Sequence, residues 1–310
     1  MEEKLVIRLS NNLGNQMFMY AAAFAAAKKL KKKLYIDKKS AYDNKNNIHF
    51  FSLDNFKLSS SEAKQNDLFV GKFGNIKRKL LKKIDKYRSC HQFILEKYNA
   101  NKNTFYNNDI LNSNFTKKVY MEGYFESEKY FFNEKKYLIN EFSPKNISNY
   151  KNNYYLNELK NTESVALCVR QNRFSEKMRK INNSDQLRSK KFVDEQVKYI
   201  FNSISFFKSK LSNPIFYLWS NSFESLADIF KNEKVIFIKN KVDNKISKIH
   251  LDFYLMQNCK HYAVIPSAFN WWGCWLSKSL NSIILRPNDN HFTDFEVKNK
   301  DYWPESWIKI

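Results

Sequence analysis

The sequence is poor in the features by which many function classes are recognised. Its four cysteines, Cys90, Cys168, Cys259 and Cys274, lie far apart, without the paired spacing of a zinc or iron–sulfur site. Free thiols in a reducing compartment are the simplest account. No run of eighteen apolar residues occurs, and the opening MEEKLVIRLS lacks the basic region and long apolar core of an export signal. The expected location is the cytoplasm, with room for a peripheral position on the inner face of the cell membrane. NNLGNQMF, Asn11 to Phe18, holds a single glycine, which fits neither the spaced-glycine nucleotide fingerprint nor a P-loop. No paired acidic residues follow a strand to hold a nucleotide metal, and Cys259 with His261 stands without further ligands nearby, so neither a metal nor a resident cofactor is implied.

Acidic residues are also scarce: 53 Lys plus Arg stand against 31 Asp plus Glu, a net charge of +22. Such a balance favours nucleic acid or an anionic membrane face. Most of the excess is lysine in runs such as KKLKKK and KRKLLKKIDK, whereas base recognition leans on arginine's planar fork. Nucleic acid is therefore not the expected partner, and the lysines are either solvated faces or a contact for an anionic membrane surface. Packing material is abundant. With 43% apolar residues, 27 Phe and 18 Tyr in 310 residues, the chain can fold into one large or two medium domains.

Pattern favours two. Leu5 to Leu9 reads as a strand, SNNLGNQ as a polar loop around Gly14, MFMYAAAFAAAKKLKKK as a buried helix and LYIDKKS as a second strand. The middle is less regular: SSSEAKQNDLF reads as a polar connection, KRKLLKKIDKYRSCHQFIL as an amphipathic helix, KVYMEGYF as a strand and SEKYFFNEKKYLINEF as a helix. Beyond an Asn-rich passage, strands VALCVR, PIFYLWS, KVIFI, YAVIP and NSIILRP alternate with helices. The expected fold is α/β, two facing Rossmann-like domains across a cleft, with an N-terminal domain over 1–150, a second domain over 151–290 and a tail over 291–310 that packs back on them.

Ligands of parallel sheets bind beyond the C-terminal strand ends, and the polar clusters fall there. Arg170 directly follows VALCV and is a candidate for a diphosphate, the alternative being a salt bridge to a neighbouring helix. Arg173 reads as a solvated loop residue. Asn15 and Gln16 either reach an anion or cap the alanine-rich helix. Ser267, with the N–H groups of Ala268 and Phe269 at a helix start, suits a phosphate oxygen. Trp271, Trp272 and Trp275 have the spacing of core residues. Ser220 closes another strand. Asp252 is a charge partner for its helix or a contact to a sugar hydroxyl.

Four stretches resemble glycosyltransferase family 11, the alpha-1,2-fucosyltransferases. LGNQMFMYAAAFAAAKK matches the family's Gly-Gly-Leu-Gly-Asn-Gln-Met-Phe opening, with Asn11 and Asn12 in the two glycine places. Gly123 to Phe131 is similar to Gly-Tyr-x-Gln-Ser-Glu-Lys-Tyr-Phe, with Glu126 in the Gln place. LDFYLMQNCKHYAVIPSAFNWWGCWL matches in order over its length, and DYWPESWIKI resembles the terminal Tyr-x-Pro-x-x-Trp. The family's His-x-Arg-Arg-Gly-Asp-Tyr is matched by Cys168 to Phe174, where only the first arginine survives, as Arg170. Its Phe-Ser-Asp-Asp becomes Trp219, Ser220, Asn221 and Ser222.

The resemblance implies a GT-B type glycosyltransferase. It would move L-fucose from GDP-fucose, with inversion and without a metal, to the 2-hydroxyl of a galactose-type residue in a surface glycan such as an O-antigen, the acceptor being an oligosaccharide, lipid-linked or free. Arg170 would then face the departing diphosphate with Ser267, Ala268 and Phe269. Asn15, Gln16, Ser220 and Asp252 would hold the donor, and Glu126 or Glu128 would take the acceptor proton. The altered arginine motif leaves another nucleotide-linked 6-deoxyhexose as an alternative donor, and a polyanion-binding protein without catalysis as an alternative class.

Overall fold

In a computed structural model, which describes residues 2–43, 49–96, 105–151, 153–175, 183–240, 247–292 and 301–310, the chain divides into two compact units. One comprises Met1–Lys145 with Asn299–Pro304, the other Asn146–Lys298 with Glu305–Ile310. The C-terminal segment is thus shared between the units.

The first unit runs β1 (Lys4–Arg8), α1 (Leu13–Lys29), β2 (Lys33–Asp37), β3 (Ser61–Glu62), α2 (Gly71–Asp85), β4 (His91–Leu95), β5 (Phe115–Glu122) and α3 (Lys135–Glu141). All five strands are parallel, in the order β3-β2-β1-β5-β4. Leu5, Val6 and Ile7 of the central strand are sealed from solvent, as expected of a parallel strand covered on both faces. Helix α1 is buried on nearly every side, because its small alanines allow close approach while Phe18 and Tyr20 pack on Phe131 and Phe142.

Several elements differ from the sequence reading. Helix α1 starts at Leu13, so Gly14, Asn15 and Gln16 form its first turn rather than a loop; the reversal is made upstream, where Asn11 takes a left-handed φ of 66°. Asparagine tolerates that conformation better than other residues with a Cβ. The stretch KRKLLKKIDKYRSCHQFIL is not one helix. The buried Asp85 carboxylate at the end of α2 accepts the N–H groups of Gln92 (2.6 Å) and Phe93 (3.2 Å), which halts the helix and launches HQFIL as β4. The predicted helix SEKYFFNEKKYLINEF is broken into two 3-10 turns, Glu128–Tyr130 and Phe132–Glu134, before α3. Between them the buried Phe131 leaves helical geometry. The polar connection SSSEAKQNDLF supplies β3.

The second unit runs α4 (Ser148–Lys151), α5 (Tyr154–Asn161), β6 (Glu163–Val169), α6 (Asn183–Lys210), β7 (Pro214–Ser220), α7 (Leu226–Ile229), β8 (Val235–Phe237), α8 (Lys248–Met256), β9 (His261–Ala263), α9 (Ala268–Trp275), β10 (Ile284–Arg286) and β11 (Ile308–Lys309). Its strands are parallel in the order β11-β10-β9-β6-β7-β8. The five predicted strands are present, and the C-terminal segment adds the edge strand β11. Trp271, Trp272 and Trp275 are at most 2% exposed and cluster with Trp307. Their spacing is thus that of a core.

Candidate active site

In doubly wound parallel sheets a crevice opens where the strand order reverses. In the second unit that point lies between β6 and β9, and in the first between β1 and β5. Arg170 and Ser267 to Phe269 follow the strands that flank the first point, and Asn15, Gln16, Glu126 and Glu128 follow those that flank the second. Ser220 and Asp252 lie on β7 and α8, away from both.

Arg170 follows β6 directly, and its backbone is held from both sides by one side chain. Gln196 of α6, fully buried, accepts the Arg170 N–H at Oε1 (2.8 Å) and donates from Nε2 to the Arg170 carbonyl (3.1 Å). The next residue is held in the same way. Asn221 accepts the Gln171 N–H (2.7 Å) and donates to the Gln171 carbonyl (3.0 Å), while the Gln171 amide donates to the carbonyls of Ser222 and Glu224. Asn172, in the family's glycine place, then turns the chain at φ 53°. Two primary amides therefore fix the backbone of two consecutive residues at the end of the central strand.

Arg173 is not a solvated loop residue. It donates to the Pro266 carbonyl (2.9 Å) and its guanidinium lies over the Phe192 ring (4.8 Å), tying the loop after β6 to the loop after β9. That second loop leads into α9. Ser267 is the N-cap, extended, without a capping bond from its hydroxyl, and Asn270 fastens the turn by accepting the Ile265 N–H (2.7 Å). Ser267, Ala268 and Phe269 remain partly open, whereas Asn270 to Trp275 are buried. The N-terminal turn is thus the accessible part of this helix, where the dipole and unspent N–H groups favour an anion.

Ser220 ends β7, and its hydroxyl accepts the Ser222 N–H (3.3 Å). Asp252, on α8, accepts from Asn240 Nδ2 (2.6 Å); burial pushes its carboxyl above the ordinary range, against the effect of that bond. Cys168, in the family's histidine place, is buried, and burial followed by the Asp252 charge raises its thiol far out of the physiological range. It is a packing residue, not a nucleophile. Cys259 lies in the connection before β9 and His261 in the strand itself, where its Nδ1 accepts the Ile283 N–H.

In the first unit, the first turn of α1 meets the loop after β5. Asn15 Nδ2 donates to Glu126 Oε1 at 2.8 Å, joining two candidates that are 111 positions apart in sequence. Gln16 is fully buried, and its amide is committed to backbone: it donates to the carbonyls of Asn11 and Phe50 and accepts from Ser52. Its role is to hold the loops around α1, neither capping the helix nor reaching outward. Glu128 opens a 3-10 turn capped by Ser127.

A second residue, besides Gln196, escaped the sequence reading. Glu96, just past β4 and 6% exposed, accepts the N–H groups of Tyr124 (2.6 Å) and Phe125 (2.9 Å). It thereby shapes the loop that carries Glu126, in which Phe125 sits at φ 54°. Burial raises its carboxyl above the ordinary value despite those two donors. Gly123 is required beside it: its φ is 153°, and a Cβ there would lie 2.3 Å from the Glu96 Cβ. Among the described residues no three His, Cys, Asp or Glu side chains converge as a metal cage.

Comparison with known proteins extends over the whole chain. The sequence model of glycosyl transferase family 11 matches residues 4–310. An alpha-1,2-colitosyltransferase of Escherichia coli is 26% identical over 99% of this chain and 98% of its own length. The O-antigen biosynthesis glycosyltransferase WbnK of Escherichia coli is 24% identical over 97% of this chain and 99% of its own. Among solved structures, a mutant of Arabidopsis thaliana FUT1 in complex with GDP aligns with a TM-score of 0.51 at 13% identity, covering 95% of this chain and 72% of that one. That likeness bears on the fold alone.

Proposed function

The chain belongs to glycosyl transferase family 11, and from that footing we propose that it moves a 6-deoxyhexose from a GDP-linked donor to the 2-hydroxyl of a galactose-type residue in an O-antigen or similar glycan. L-fucose is the first candidate sugar, and the transfer inverts the anomeric centre without a metal. The name of the colitosyl relative supports a 1,2 linkage and widens the donor beyond fucose, and that of the second relative supports an O-antigen acceptor. In this reading the second unit is the nucleotide-sugar domain of a GT-B arrangement and the first unit serves the acceptor.

The observation that carries the reading is the doubly clamped Arg170 at the switch point of the second sheet, with the open first turn of α9 after the neighbouring strand. Cleavage of the bond between the anomeric carbon and the diphosphate leaves charge on the phosphate oxygens and a cationic sugar. Donors already fixed in place favour that state over the intact donor, since none has to be reoriented as the bond breaks. Arg170 supplies a permanent cation, and Ser267, Ala268 and Phe269 supply a hydroxyl and helix-end N–H groups. Ser220 and Asp252 contact the donor, and Asn15 orients Glu126. Glu126 takes the proton from the acceptor hydroxyl as the sugar arrives, with Glu128 as the other carboxylate on that loop.

The test is a transfer screen with several GDP-sugars and galactose- or N-acetylgalactosamine-terminated acceptors in EDTA. Transfer of a 6-deoxyhexose to a 2-hydroxyl is expected. Turnover that requires a divalent metal, or transfer to a different hydroxyl, would refute the mechanism or the regiochemistry respectively.

A further inference from the structure

Helix α2 sits on the first unit with its charged side inward. Toward the sheet, Arg78 and Lys82 both bond to Glu122 Oε2 (2.7 and 2.8 Å), Asp85 is buried, and Leu81 packs against the cluster of Val6, Tyr35, Phe69, Phe93 and Tyr120. Away from the protein stand Phe73, 89% exposed, Ile76, 63%, Leu80, 55%, and Ile84, 43%, followed just past the helix end by Tyr87, 91%. At the ~100° turn per residue of an α-helix the four helical positions fall within about 80° of one another. Scattered apolar residues on a surface are ordinary, but an unbroken stripe is the mark of a contact surface. Lysines border it: Lys77 on one side, and Lys72, Lys79 and Lys83 on the other, all exposed.

We propose that α2 is a membrane-docking helix that lies in the plane of an anionic lipid surface, its apolar stripe entering the boundary between headgroups and acyl chains and its lysines meeting the lipid phosphates. The bordering charges select this occupant. A second copy of the chain docking through the same face would set these lysines against themselves, on a molecule of net charge +22, whereas a bilayer of acidic lipid accepts both the cations and the stripe. No described helix is long and apolar enough to cross a membrane, so the contact is peripheral. For an enzyme of the kind proposed above, it would bring the acceptor-side unit to a lipid-linked glycan. That consequence rests on the proposed function, while the binding itself does not.

The test is cosedimentation with phosphatidylcholine vesicles prepared with and without phosphatidylglycerol, at low and high salt, with urea unfolding as the control for folding. The parent protein is expected to bind the acidic vesicles and to be partly released by salt. Lys77→Gln with Lys83→Gln should weaken binding roughly thirtyfold, from the attraction of a lysine near an acidic surface. Phe73→Ser with Leu80→Ser should weaken it about a hundredfold through lost apolar burial. Both pairs lie on the exposed face and should leave unfolding unchanged. Equal binding to both vesicle types, no binding to either, or parent-like binding by folded double variants would overturn the proposal. A Phe73→Ser/Leu80→Ser protein that is monomeric where the parent sediments as an oligomer would also overturn it, in favour of a second copy. No donor sugar is involved, so failure here leaves the transferase reading standing.

Discussion

Replacing Gln196 tests whether the clamp on Arg170 matters to function. The side chain is 0% exposed and makes both backbone bonds of Arg170 described above, together with a third to the Phe192 carbonyl. Gln196→Leu keeps the bulk and removes all three. The Phe192 carbonyl keeps its helical partner, but the Arg170 N–H and C=O lose theirs, at a cost of about 1–3 kcal/mol for each group left unpaired out of water. Arg170 is partly open to solvent, so a stability loss of roughly 2–4 kcal/mol is expected by urea unfolding. The loss of turnover should be larger than a loosened loop would suggest, on the order of 100-fold, because a displacement of about 1 Å at a catalytic group has that effect. Gln196→Glu separates geometry from bulk. Its carboxylate can still accept the Arg170 N–H but repels the Arg170 carbonyl, and burial raises its pKa. Protonation restores a donor, so relative to the parent its activity should recover as pH falls. Transfer assays across pH on both variants are the measurement. A folded Gln196→Leu protein with parental turnover would show that Arg170 needs no positioning and would remove the support for its role.

Arg170→Ala should strongly depress turnover. Arg173→Ala, which loses the bond to Pro266 and the Phe192 contact, should cost about 1.5–3 kcal/mol of stability; the opposite pattern in unfolding and kinetics would exchange their roles. Glu126→Gln keeps an oxygen for Asn15 to bond to but cannot take a proton, so turnover should fall on the order of 10²–10⁴-fold if Glu126 is the base. Parental turnover would reduce it to a holder of Asn15. Glu96 sets a pH dependence: its carboxyl is raised on folding from an ordinary value of 4.5, so its contribution to stability is complete below that value and is lost as pH rises through the raised folded value. Glu96→Gln should flatten that decline in urea titrations, and an unaltered slope would contradict the burial assigned to Glu96. Gly123→Ala should lose several kcal/mol, since its Cβ would lie 2.3 Å from that of Glu96 and such overlap forces backbone movement; an unchanged unfolding midpoint would refute the packing described there.

What could be read from the sequence depended on how local its cause was. VALCV is legible because a central parallel strand is apolar on both faces, and Arg170 stands out as a candidate because it abuts that run. The tryptophans of α9 were assigned to the core by spacing alone. Gln196 could not be found this way: it is one amide in a 28-residue helix, and only the register of that helix against β6 selects it. Glu96 was hidden because HQFIL was absorbed into the preceding helical pattern, whose interruption depends on Asp85 reaching forward to bond Gln92 and Phe93. Gln16 stands out by its place near Gly14, but its hold on backbone is not local, since its partners at Phe50 and Ser52 lie 34 and 36 positions away. The amphipathic character of α2 was visible, but which face turned inward was decided by Glu122, on a distant strand.

Two of the departures from the family pattern near Arg170 are linked. Where the family has a second arginine this chain has Gln171, and where it has the first aspartate after the next strand this chain has Asn221. In the structure these two residues hold each other: the Asn221 amide both donates to and accepts from the Gln171 backbone, and the Gln171 amide holds the loop that follows Asn221. An aspartate at 221 could accept the Gln171 N–H but could not donate to its carbonyl, and an arginine at 171 has no acceptor and carries a charge. This pair of substitutions therefore keeps the backbone at the strand end fixed and removes one charge of each sign, while Arg173 and Ser222, in two of the family's aspartate places, make these loops more positive, and Arg170 is retained. Retention of the strand-end geometry and of Arg170, with different flanking chemistry, is the reason the donor screen extends beyond fucose.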